Sequence, residues 1–249
     1  MLNKYKKTDT NSNRRAVVLG CGYVALVLLV DLLAGSGLTW PFPWSVFRWM
    51  LGDLFGSLES TIFDRFDLFK FVFWLLAPVA ICWRGMDWRY LVCGRWSKWD
   101  GVFVGGLAVL GMGAMFLIPL VPELRQFYPS LSDWSVEARV HFFLTRLVWV
   151  GSWLVGWEFM HRYFLLRLVQ REPLEPGVPP FRLAQWGWLV VPLFETAYHL
   201  QKASLEAVGM FGFSVVLTLW CLKRGNWLLA FVVHLIIEVE LLFFMTLVA

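Results

Sequence analysis

Seven apolar runs, each close to the length of a membrane crossing and separated by short polar loops, constrain this chain more than any other feature. They lie at about Ala16 to Ala34, Phe66 to Trp83, Gly101 to Val121, Val140 to Leu168, Leu183 to Leu200, Leu205 to Leu222 and Trp227 to Val248. A helix satisfies its own backbone hydrogen bonds, and about 20 apolar residues rising 1.5 Å each cross the hydrocarbon layer. The pattern predicts an all-α polytopic membrane bundle of about seven transmembrane helices, a single integral membrane domain over residues 1–249. With 59% hydrophobic and only 16% charged residues, nothing is left over for a soluble domain.

Charge sets the expected orientation. Leaving aside Lys70, Arg146 and Arg162, which fall inside apolar runs, alternate loops hold fourteen and five Lys plus Arg. The richer set includes Lys4, Lys6, Lys7, Arg14 and Arg15, so the positive-inside rule predicts a cytoplasmic N-terminus and a C-terminus on the far side. The first run is long for a signal peptide and is expected to remain as an uncleaved span, broken only by Asp31. The segment Trp40 to Ser60 mixes Pro, Trp and charge and predicts an interfacial helix lying flat. Prolines 173, 176, 179 and 180 predict a cytoplasmic hinge. Tryptophans at the ends of apolar runs fit the interfacial belts of a multi-pass protein of the inner or plasma membrane. The positive charge is dispersed, which excludes a nucleic-acid groove. Cys21, Cys82, Cys93 and Cys221 have no metal-ligand spacing and read as free thiols.

Three apolar runs carry ionisable pairs. In G-W-E-F-M-H-R, Glu158 and Arg162 are four apart with His161 beside the arginine; Glu195 and His199, and then His234 and Glu238, repeat the spacing on later helices. Residues four apart share one helical face. At mid-bilayer depth each such group costs about 2.5–3.5 kcal/mol, so three pairs on three helices point to a site inside the bundle. A structural ion pair or a packing histidine is the plainer reading of any one of them. Together they hold a base for water, imidazoles to position it and a donor for an oxyanion.

The order and spacing resemble the CAAX prenyl protease and bacteriocin-processing (CPBP) family of intramembrane proteases. The family's E-E-x-x-x-R aligns with Trp157 to Arg162, with Trp157 in place of the first Glu; F-x-x-x-H aligns with Glu195 to His199, with Glu for Phe; H-x-x-x-N/D aligns with His234 to Glu238. The resemblance covers a core of about residues 140–249. It implies a peptidase that hydrolyses a membrane-anchored, prenylated or C-terminally anchored protein or peptide, with Glu158, Arg162, His199 and His234 as the catalytic set. Glu195, Glu238 and His161 would support them, Glu195 supplying the carboxylate missing at position 157. Water could be held by hydrogen bonds alone or by a zinc on His199, His234 and Glu238 (or Glu195), completing a three-ligand centre with an open position. Because Trp157 replaces a glutamate, the alternative is an inactive relative serving as an immunity or scaffolding factor. A proton-coupled transporter is the third class, though no repeats support it.

Overall fold

The computed structural model describes residues 10–39, 41–55, 61–83, 96–170 and 183–248. Among the described residues the chain is all-helical, and the only β pairing is an isolated antiparallel bridge between Met50 and Asp67. Each apolar run is a helix. We label them α1 (Thr10–Gly35), α2 (Leu68–Cys82), α3 (Lys98–Met115), α4 (Val136–Glu158, prolonged to Val169), α5 (Val190–His199), α6 (Ser204–Arg224) and α7 (Leu228–Phe243).

Four stretches are long and apolar enough to cross a membrane: Arg14–Gly35, Lys98–Leu120, Ser204–Arg224 and Leu228–Leu247. Helix α2 is apolar but short. Neither α4 nor α5 qualifies by length and composition, and these are the two helices that carry Glu158, Arg162, Glu195 and His199. The expected flat helix at Trp40 to Ser60 is broken up. A 3₁₀ turn at Trp44–Phe47 and a five-residue helix at Leu51–Phe55 replace it, because Pro41 and Pro43 lack backbone N–H groups and fix the chain direction there. Trp40, residues 56–60, the N-terminal Lys4, Lys6 and Lys7, the loop with Arg84, Arg89, Cys93 and Arg95, and the proline hinge lie outside the described residues.

Packing follows burial. Helix α4 is the central post: every residue from Gly156 to Leu166 is buried, on all sides of the helix. Helices α5 and α6 pack closely together, while α7 lies against α3 and α4. Gly156 makes one of these approaches possible. A Cβ there would stand 2.9 Å from the Cβ of Trp74 and 3.1 Å from the backbone nitrogen of Leu75, so any larger residue would push α2 away. Directly after it the helix widens into a π-helical stretch, Phe159–Leu165, continuing into Leu166–Val169. Such stretches are rare and re-aim side chains within an otherwise regular helix, often at functional sites.

Candidate active site

Members of all three ionisable pairs, Glu158 with Arg162, Glu195 and His234, meet at the π-helical stretch. Arg162 is the hub. Its Nη1 donates to Glu158 Oε2 at 2.5 Å and to Glu195 Oε1 at 2.8 Å, and its Nη2 donates to Glu195 Oε2 at 2.8 Å. Ser214 Oγ on α6 stands 3.4 Å from the same Nη2. The guanidinium fork thus grips Glu195 with two bonds and shares one end with Glu158, a geometry that lysine cannot reproduce. All three side chains are essentially inaccessible. Two carboxylates and one guanidinium leave an excess negative charge, and His234 stands at the unshared oxygen: its Nδ1 is 2.6 Å from Glu158 Oε1.

His234 opens onto a cavity of about 450 Å³ whose wall also includes Trp153, Trp157, His199 and Glu238. Glu158, Arg162 and Glu195 do not line it. They stand behind the wall. The resemblance puts Glu158 in the catalytic set; in the structure both of its oxygens are engaged, one by Arg162 and one by His234, and His234 is what faces the cavity.

His199 reaches the same cavity from α5. Leu183–Leu189 forms a 3₁₀ segment and the α-helix begins only at Val190, so His199 lies about 14 Å along it at 1.5 Å per residue. Its Nδ1 donates to the Glu195 carbonyl at 2.8 Å, which leaves Nε2 as the acceptor in the neutral ring. His161, by contrast, is fully buried away from the cavity. Its Nδ1 donates to the Trp157 carbonyl at 2.9 Å and stands 3.8 Å from Glu195 Oε1. It supports the ion-pair hub.

Glu195 brings a second carboxylate to Arg162 beside Glu158, from α5 rather than from position 157. Its carboxylate is on Arg162, whereas the side chain of Trp157 packs against the rings of Tyr198 and His199, at 5.1 and 5.9 Å between centroids. Both positions neighbour His161, whose ring is 4.2 Å from that of Trp157 and whose Nδ1 is 3.8 Å from Glu195 Oε1.

The three residues named for a zinc, His199, His234 and Glu238, all line the cavity. His234 Nε2 is 3.7 Å from Glu238, and His199 Nε2 is 3.8 Å from Glu206. Each imidazole has its own carboxylate, and among the described residues no three His, Cys, Asp or Glu side chains form a metal-binding group. Cys21, Cys82 and Cys221 are free thiols; Cys93 lies outside the described residues.

The structure adds residues that were not singled out from the sequence. Lys202 Nζ pairs with Glu206 Oε1 at 2.7 Å and stands 3.2 Å from Tyr128 Oη, while that phenol donates to Glu206 Oε2 at 2.8 Å. Burial and then the Glu206 carboxylate raise the Tyr128 phenol above its ordinary value, so it remains a donor. The Lys202–Glu206 spacing of four was legible in H-L-Q-K-A-S-L-E-A. Nothing local marked Tyr128, which is 78 residues from its partner. No protein-family model matches the chain, and no curated protein or solved structure matches it.

Proposed function

We propose that the chain is an intramembrane endopeptidase of the CPBP type, crossing the membrane about seven times from a cytoplasmic N-terminus and hydrolysing a peptide bond in a membrane-anchored substrate. The observation that carries this reading is the 2.6 Å contact by which His234 joins the buried Glu158 carboxylate to a cavity shared with His199. A carboxylate behind an imidazole fixes its tautomer and stabilises the imidazolium that forms when the ring takes a proton.

The steps follow from that couple. Water bound in the cavity gives a proton to Nε2 of His234 and attacks the scissile carbonyl carbon. His199 Nε2 accepts a hydrogen bond from the same water and orients it. The proton held by His234 then passes to the leaving amine, which breaks the C–N bond and leaves a carboxylic acid and an amine. Glu158 carries the compensating charge throughout, and Arg162 with Glu195 holds Glu158 in place. Helix packing on all sides of Glu158 keeps bulk water away, which strengthens each of these interactions. No step requires a metal.

Trp157 favours the second reading, a non-catalytic membrane partner. Its indole fills the space beside Tyr198 and His199 where the resembled motif would place a glutamate. One experiment separates the two. Purified protein in nanodiscs is incubated with membrane-anchored peptides and the products are sequenced by mass spectrometry. The endopeptidase yields new termini that disappear in Glu158→Gln and His234→Gln, while a partner protein yields none in the wild type.

A further inference from the structure

Asp31 is the one charged residue in the first apolar run, and the proposed chemistry leaves it unused. The structure gives it a specific partner. Tyr198 Oη, on α5, donates to Asp31 Oδ2 at 2.5 Å across 167 residues of chain. The buried ammonium of Lys70 on α2 stands 3.6 Å from the same oxygen and 3.8 Å from Asp67. Three tryptophan rings, Trp74, Trp149 and Trp153, surround that ammonium at 4.9–5.9 Å. Asp31, Lys70 and Tyr198 all line the cavity that holds His199 and His234.

The location matters because of what Tyr198 precedes. Helix α5 has only ten residues, and its last is His199. Its last turn is closed only by the chain just beyond it, Leu200 N–H on the Ala197 carbonyl and Lys202 N–H on the His199 carbonyl. The ring of His199 makes one hydrogen bond, from Nδ1 to the Glu195 carbonyl, with Glu206 3.8 Å from its Nε2 and the rings of Trp157 and Tyr198 beside it. Tyr198 ties the same turn to the opposite wall: its ring packs on Trp74 and Trp157 and its hydroxyl reaches α1. A charged acceptor makes this bond stronger than a neutral one. Placing a half-buried Asp31 in an apolar helix carries a cost that Lys70 offsets without taking the place of the phenol.

We propose that Asp31 is a positioning residue for His199, acting through Tyr198, so that the first membrane helix is part of the catalytic apparatus rather than an anchor. This rests on the peptidase reading for its effect on rate but not for its effect on the ring of His199. Removing the bond lets the last turn of α5 shift, and displacement of a water-orienting group by about 1 Å is enough for losses of tenfold or more.

The test uses the full chain labelled with [15N]histidine, which has four histidines, alongside the peptide assay. Tyr198→Phe and Asp31→Asn are each expected to lower kcat about tenfold with KM within about twofold of wild type. Both should move the ring nitrogen signals of His199, and the double variant should be no worse than the poorer single one. Tyr198→Phe removes only a hydroxyl, and it decides the matter if Asp31→Asn fails to fold. Unmoved His199 signals overturn the proposal, whether or not kcat falls. If the variants move the His199 signals but the wild type cleaves no peptide, the peptidase reading falls and the positioning role stands.

Discussion

Helices α3 and α4 both pack against α7, and they solve opposite problems. Helix α3 belongs to a stretch apolar enough to cross a membrane, yet only 11% of that window is buried inside the protein. Helix α4 is too polar to qualify as a crossing by composition, yet its second half is buried without a gap from Gly156 to Leu166. In a soluble protein the greasiest helix goes to the centre. Here hydrophobicity is matched to an apolar surrounding, and the centre is reserved for the helix whose charges must be shielded. What holds α4 at the centre is therefore specific: an ion-pair hub, a glycine contact at Gly156 and close aromatic packing.

The largest expected effect comes from removing the hub. Arg162→Leu leaves Glu158 and Glu195 buried with their shared cation gone, and breaking a buried pair in this way costs about 3–5 kcal/mol. The expected outcome is loss of folded protein, read as a collapse in yield and in the thermal transition in detergent. A variant that folds as well as the wild type would mean that the centre of α4 is held by packing alone. Arg162→Lys sharpens the same point. It keeps the charge but cannot grip Glu195 with two bonds, so it should fold with a lower transition and hydrolyse peptides poorly.

Next comes Glu195→Phe, which installs the residue found in the resembled motif. Arg162 retains Glu158 but loses two bonds at 2.8 Å. The expected loss is about 1.5–3 kcal/mol of stability, with activity lowered through Glu158. Adding Trp157→Glu should not restore it, because a side chain at position 157 faces Tyr198 and His199 rather than Arg162. Full recovery in the double variant would show that the two positions are interchangeable after all.

What the sequence made legible follows from the reach of the helical period. The pairing of Glu158 with Arg162 and the common face of His234 and Glu238 are local consequences of a spacing of four, and both appear in the structure. Contacts across helices carry no such signature. Glu195 bonds Arg162 from 33 residues away, and His234 meets Glu158 from 76. The π-helical stretch that carries Arg162 packs against α2 and α5, contacts that no local propensity encodes. Asp31 stood out as a charge in an apolar run, but its partner Tyr198 lay on another helix and had no reason to be paired with it in advance. The segment after Trp40 reads as an amphipathic helix until the two prolines are given their full weight.

The smallest effect is expected on the other side of the comparison. Val109 and Leu110 on α3 are largely exposed, at 74% and 69%, and nothing among the described residues covers them. Core truncations of this kind cost 2–5 kcal/mol because they leave a cavity, whereas a side chain that meets only lipid leaves none. The double variant Val109→Ala with Leu110→Ala should therefore change the thermal transition by no more than about 0.5 kcal/mol equivalent, as for other surface positions. Leu154→Ala on α4, at a side chain with no exposure, is the matched control and should fall in the range expected for a core truncation, about 2–5 kcal/mol. A loss in the α3 variant approaching that of Leu154→Ala would mean that this face is covered in the native membrane by another protein surface. The contrast between the two helices would then be one between two buried environments rather than between protein and lipid.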